Sequence, residues 1–403
     1  MRRKMMTDEI LKQIAENYGT PAYVFDVPAL QERIRSAKKI AGQKVHLCFS
    51  IKANPFLIPA MLEVTEHLEV CSPGELDLCR KLKVPGEKIV YSGVNKTAVD
   101  IADAVADHVG IYTAESLLHA ELLQEAAHTA GKKLPVLLRL NAGSQFGMSV
   151  EDLFSVIAHR TDYPDLVFEG IHYFAGTQRK KLTQQAQELQ VLKELFARVR
   201  SEYGFTLRKL EYGPGLPVPY FEGEDFSDTL SPLRMLAPAL QEVSEWAELT
   251  VEMGRFFTSE CGYYLTKVMD QKQNKGTFYS ILDGGMNHVT YLGQIMGMKN
   301  PVIRHLKMTS DRSTLKAQDW ALCGSLCTTA DVLTRQTSFT DLEKGDILAF
   351  CNIGAYSVTE GIYLFLSRSM PVVLLYRGMQ NDQADIQVAR TAMETSTLNL
   401  IQQ

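Results

Sequence analysis

Through the first two thirds of the chain, apolar and polar positions follow one rhythm. A short β-branched or apolar run meets a polar or glycine stop, and a longer segment with helical spacing follows. The runs at 45–51, 68–72, 88–92, 109–113, 136–140, 168–174, 210–213 and 249–253 predict eight strands. Helix-like segments fall between them at 55–67, 75–82, 114–130, 151–159, 182–203 and 231–246, several with a proline or acidic residue near the start. Eight alternations of strand and helix predict an α/β fold, a (β/α)8 barrel. After about Arg255 the rhythm changes. The runs 263–269, 277–282, 346–351 and 371–376 lack long helices between them and are separated by Gly, Asn and Asp, which predicts a C-terminal, mostly β domain. The run 21–25 is expected to join that sheet, giving a barrel over 28–260 and a β-rich domain from 1–27 and 261–403.

Composition narrows the function classes. Over 403 residues, 45% hydrophobic and 22% charged positions exclude a disordered, collagen-like or coiled-coil chain. Lys plus Arg number 42 against 47 Asp plus Glu, and no basic run tracks a phosphate backbone, so no nucleic-acid partner is expected. No apolar run approaches the ~18 residues of a bilayer span, and the start lacks the apolar core of a secretion signal. No membrane association is therefore expected, and the expected location is cytoplasmic. The seven cysteines form no CxxC pair, which argues against a disulfide framework and a zinc site; no metal is expected.

In a barrel of this kind chemistry sits at the C-terminal ends of the strands. The polar residues closing the runs are Lys52, Glu69 and Ser72, Arg139 and Asn141, His172 with Gly176-Thr177-Gln178, Gly213 and Gly215, and Glu252 with Arg255. A lysine, a carboxylate, glycine turns and arginines around one mouth suit a phosphorylated cofactor held by a lysine. Pyridoxal 5'-phosphate meets that description. The lysine forms a Schiff base, a carboxylate keeps the pyridine nitrogen protonated, and backbone amides hold the phosphate.

The run Ser50-Ile51-Lys52-Ala53-Asn54-Pro55, with Glu252-Met253-Gly254-Arg255, Cys327-Thr328-Thr329-Ala330-Asp331 and Gly354-Ala355-Tyr356, resembles the fold-type III pyridoxal phosphate decarboxylases, the family of diaminopimelate and ornithine decarboxylases. The resemblance implies an alanine racemase-like barrel, an amino-acid substrate and a homodimer. It makes Lys52 the Schiff-base lysine and Glu252 the carboxylate facing the pyridine nitrogen. Thr177, Gly213, Gly215, Arg255 and Tyr356 fall around the phosphate, with Arg139, His172 and Phe174 as further cofactor contacts. Cys327 matches a catalytic cysteine that such dimers insert into the partner's site, and Thr328, Asp331 and Asp283 are expected at the substrate.

The chain departs from the family pattern in ways that bear on substrate. Phe174 stands where a ring-stacking histidine is usual, with His172 farther off, and the glycine triple reads Gly213-Pro214-Gly215, which lacks one backbone donor. Diaminopimelate decarboxylases carry Arg-Pro-x-x-Tyr soon after Gly-Met-Asn and a glutamate after the cysteine. Here Gly285-Met286-Asn287 precedes His288-Val289-Thr290-Tyr291, and Cys327 precedes Thr328. With His172-Tyr173-Phe174-Ala175-Gly176-Thr177-Gln178 and Ser144-Gln145-Phe146-Gly147-Met148, these features resemble the branch that decarboxylates a glutamyl group on a carrier protein in butirosin biosynthesis. The alternatives are a decarboxylase of free diaminopimelate, ornithine or lysine, a racemase, against which Glu252 speaks, and a non-catalytic cofactor-binding homologue.

Overall fold

The computed structural model describes residues 6–291, 298–308 and 317–401. Two compact units are present. One comprises Arg33–Val218 and Asp228–Phe257, the other Met1–Glu32, Pro219–Ser227 and Thr258–Gln403. The short segment Pro219–Ser227, which lies inside the barrel's stretch of sequence, thus clusters with the second unit.

Strand β1 (Ala22–Asp26) belongs to the second unit. The first unit is a closed barrel of β2 (His46–Ser50), β3 (His67–Val70), β4 (Ile89–Tyr91), β5 (Ile111–Ala114), β6 (Leu134–Arg139), β7 (Leu166–Phe174), β8 (Lys209–Gly213) and β9 (Glu248–Met253), and β9 pairs in parallel with β2. Each expected run overlaps one of these strands. They read as continuous apolar runs because a parallel barrel strand is covered on both faces. The register sets Ser50 of β2 opposite Glu69 of β3, and Cys48 opposite Glu252 of β9.

Side chains two residues apart share a strand face. Cys48, Val90, Ile111 and Leu137 form one apolar cluster. Two positions further along stand Ser50, Thr113 and Arg139 on their strands and Ser92 just past the end of β4, all buried. The interior therefore turns from apolar to polar over one pleat, toward the end where the candidate residues lie. Side-chain caps fix several following helices. Ser72, read above as a strand-end group, caps Pro73–Lys81 by accepting from the Glu75 amide at 3.2 Å. Thr97 and Asp100 form a capping box at Ala98–Ala106, and Ser116 caps Leu117–Ala130. The expected helix at 55–67 is shorter: a 3-10 turn at Pro55–Leu57, capped by the Asn54 side chain, leads into helix Ile58–Leu62, and β3 begins at His67.

The second unit carries a nine-stranded sheet built from β1, β10 (Gly262–Asn274), β11 (Thr277–Leu282), β12 (Ile303–Leu306), β13 (Ala317–Cys323), β14 (Val332–Thr340), β15 (Ile347–Cys351), β16 (Val372–Gln380) and β17 (Gln383–Arg390). The N-terminal strand is interior to it: β1 pairs antiparallel with β10 and parallel with β16, as the sheet-joining expectation required. Helix Asp8–Tyr18 adds Leu11, Ile14 and Ala15 to a core containing Ala22, Val24, Leu265 and Leu374. Among the described residues no helix is long and apolar enough to cross a membrane.

Candidate active site

Lys52 lies in the turn Ile51–Ala53 directly after β2. Its Nζ donates to Glu69 Oε2 at 2.7 Å, and lies 3.4 Å from Cys71 Sγ and 3.9 Å from Glu252 Oε1. The two carboxylates are buried, whereas 41% of the Lys52 side chain is exposed. Burial alone would lower the amine's proton affinity, but Glu69, Cys71 and Glu252 outweigh it and hold Lys52 well above its usual value. The Cys71 thiol donates to Glu69 Oε1 at 3.1 Å, and burial with that carboxylate pushes it up. Glu69 was legible as a strand-end group. Cys71 reads as an inert core thiol, yet it sits against the lysine because the strand ends one residue before it.

Glu252, on β9, accepts from Ser50 Oγ at 2.9 Å through Oε1 and from His172 Nε2 at 2.9 Å through Oε2. Burial opposes its charge, but Lys52 and then His172 hold the carboxyl well below the usual range, so it is an anion. His172 Nε2 is accordingly the protonated nitrogen, and its buried Nδ1 has no hydrogen-bond partner among the described residues. Arg139, at the end of β6, is buried and donates to Glu115 Oε1 at 2.6 Å with its guanidinium over the Phe146 ring. Glu115 and Phe146 carry no signal in the apolar pattern, since both lie in loops.

The turns after β7 and β8 are laced together. The Arg179 amide donates to Gly215 O at 2.9 Å, and the Gln178 side chain pairs with both the amide and the carbonyl of Val218. Gly215 has φ +60°, and a Cβ there would stand 1.8 Å from Gly176 O; one on Gly213 would stand 2.4 Å from Phe174 Cδ2. Only glycine fits either position, so the backbone forms a cradle with no side chain across it. Thr177 is exposed on this rim, and Phe174 is half-buried beside it. Arg179 pairs with Glu188, which also accepts from Tyr212 Oη at 2.9 Å, whereas Lys180 and Lys181 are exposed. Arg255 follows Gly254, where a Cβ would stand 2.9 Å from Ala53 Cβ in the Lys52 turn. A glycine cradle, a half-exposed lysine head, a buried anion and an orphaned imidazole nitrogen fit pyridoxal phosphate.

The remaining expected residues lie in the second unit. Cys327 and Thr328 are exposed, and Tyr356 is half-buried with φ +68° in a turn whose carbonyl accepts from Thr359 and Glu360. Asp331 is buried and accepts from the Met286 amide at 2.7 Å and the Leu326 amide at 2.8 Å. Asp283 accepts from Thr20 and Thr266 hydroxyls and the Lys267 amide. Both carboxylates thus brace backbone and hydroxyl groups inside this unit.

The chain is similar to known proteins. The family described as pyridoxal-dependent decarboxylase, pyridoxal binding domain, matches residues 27–259. Diaminopimelate decarboxylase of Aquifex aeolicus is 27% identical over 91% of this chain and 89% of its own length. The L-glutamyl-[BtrI acyl-carrier protein] decarboxylase of Niallia circulans is 26% identical over 90% of each. A crystal structure of an Aquifex aeolicus protein superposes with a TM-score of 0.84 at 25% identity, covering 96% of this chain and 93% of that one. With more than half of the chain matched by the cofactor-binding family, and the lysine, anion and glycine cradle in one barrel, the chain belongs to the pyridoxal-dependent decarboxylases and takes pyridoxal phosphate as its cofactor.

Proposed function

We propose that this decarboxylase acts on an amino acid whose distal end is uncharged, a glutamyl group held as a thioester on a carrier protein, and that it works as a homodimer. The observation that carries the substrate reading is His288, the residue following Gly285-Met286-Asn287. It is only 2% exposed, its Nδ1 meets Tyr264 Oη at 2.9 Å, its Nε2 meets Asn287 Nδ2 at 3.0 Å, and burial pulls it down to about 4. A neutral, enclosed histidine offers no cation to a distal carboxylate, and Thr328 offers no anion to a distal amine. A free diamino acid would leave its distal charge desolvated without a partner. A thioester carries no such charge. The similarity to the Niallia circulans enzyme, named for a carrier-bound glutamyl substrate, supports the same reading.

In this proposal Lys52 binds the cofactor through Nζ, Glu252 holds a proton on the pyridine nitrogen, and Phe174 covers the ring. Thr177, Gly213, Gly215, Arg255 and Tyr356 hold the phosphate, and Arg139 is fixed against Glu115 at the rim. When bound, the cofactor supplies the electron sink for loss of carbon dioxide. Cys327 of the partner subunit returns a proton. A free amino acid as substrate is the second reading, favoured by similarity to the Aquifex aeolicus enzyme.

Values of kcat/KM separate the two. The expected result is a far higher value for a glutamyl carrier protein than for free diaminopimelate, ornithine or lysine. An equal or higher value for a free diamino acid defeats the carrier reading.

A further inference from the structure

Glu211 has no part in the roles above. It lies on β8 two residues before Gly213, is 1% exposed, and stands in register with His172 of β7 and Thr250 of β9. Carboxylate and imidazole atoms of Glu211, His172 and Glu252 lie within 4.8 Å of one another, and Glu211 Oε1 has no hydrogen-bond partner among the described residues. Three buried carboxyl groups therefore share one interior with two groups able to carry positive charge. Lys52 is taken by Glu69 at 2.7 Å, and His172 by Glu252 at 2.9 Å.

Beside an ionised Glu252 and with no cation of its own, a second buried carboxylate loses hydration and meets like charge. Two carboxyl groups so placed resolve the conflict by dividing roles, one ionised and one protonated. We infer that Glu211 is a positioning residue that stays protonated, so that of these two adjacent carboxyls Glu252 alone is ionised and would be held oriented toward the pyridine nitrogen. The remaining titratable groups facing Glu211 are Cys48 of β2 and Glu69 of β3, neither of which supplies positive charge. Burial, with Glu252 and Glu69, pushes the Glu211 carboxyl well above the usual range, in agreement with the geometry.

This deepens the assignment of Glu252 to the cofactor and rests on it, so the test reads the two separately. Infrared difference spectra of the holoenzyme in H2O and D2O are expected to show a protonated-carboxyl stretch near neutral pH that E211Q lacks. In E252Q the same band is expected to titrate away at lower pH, since the neighbouring charge is gone. Cofactor affinity by equilibrium titration should fall about 10- to 100-fold in E211A and recover in E211Q, whose amide mimics the neutral acid. A band unchanged in E211Q, or E211Q falling as far as E211A, overturns the inference. A loss of cofactor affinity in E252Q supports the Glu252 assignment on which it rests; unchanged affinity there removes that assignment and the inference with it.

Discussion

Single side chains carry their environment into measurable behaviour, and Lys96 does so most directly. It follows β4, is 5% exposed, donates to Gly93 O at 2.5 Å and lies 5.8 Å from the Tyr91 ring centre. Burial pulls its amine down to about 8, with Glu115 opposing only in part. The unfolded chain keeps this proton up to about pH 10.4, whereas the folded chain releases it near 8. Between those values the unfolded state binds more protons, so stability rises with pH there, by about 3 kcal/mol from this group. Lys96→Met should remove that rise. Urea unfolding of both proteins at several alkaline pH values measures it, and parallel stability curves would refute it.

At the scale of elements, the rim depends on two strand-end turns fitting backbone to ring. Gly213→Ala drives a methyl into Phe174, so it should weaken cofactor binding about tenfold or more. Phe174→Ala in the same protein should relieve the clash and return part of the affinity. Gly215→Ala meets a carbonyl oxygen, not a ring, and the Phe174 change should leave its defect in place. Titration of cofactor into the apoproteins decides both; equal rescue of the two glycine variants would contradict this packing. These elements also show what a sequence displays and what it conceals. The eight barrel strands were legible because burial on both faces makes each an apolar run, and Lys52 and Glu252 stood out as the polar residues that close two of them. Glu211 stayed hidden inside the run 210–213, since one acid among apolar neighbours leaves a strand pattern intact. Four strands of the second unit, β12, β13, β14 and β17, were missed because residues such as Gln318, Asp319, Arg335 and Gln336 interrupt any apolar run. Nor does sequence spacing show that Asp331 and Asp283 turn inward, because a carboxylate's partners are backbone amides and hydroxyls brought from distant strands.

For the whole molecule, the proposed dimer has a test that needs no structure of it. Lys52→Ala and Cys327→Ala proteins, each inactive, should regain activity when their subunits exchange, because a hybrid holds one site with both residues intact. Random pairing of equal amounts puts the ceiling at about a quarter of the natural activity. No recovery in a mixture shown by native mass spectrometry to exchange would rule out shared sites. The place of β1 in its sheet bears on a different matter, the birth of the chain on the ribosome. Val24 pairs with Tyr263 and with Leu374, and all five residues of the strand are buried in the finished sheet. At ~5–20 residues per second, β1 waits roughly 12–50 s for β10 to be synthesised and roughly 18–70 s for β16. The barrel's last strand is made while β1 is still an unpaired apolar ribbon with open hydrogen-bonding edges. Nascent chains stalled before residue 372 are therefore expected to be the sticky ones, and the sheet, not the barrel, sets the demand for chaperones.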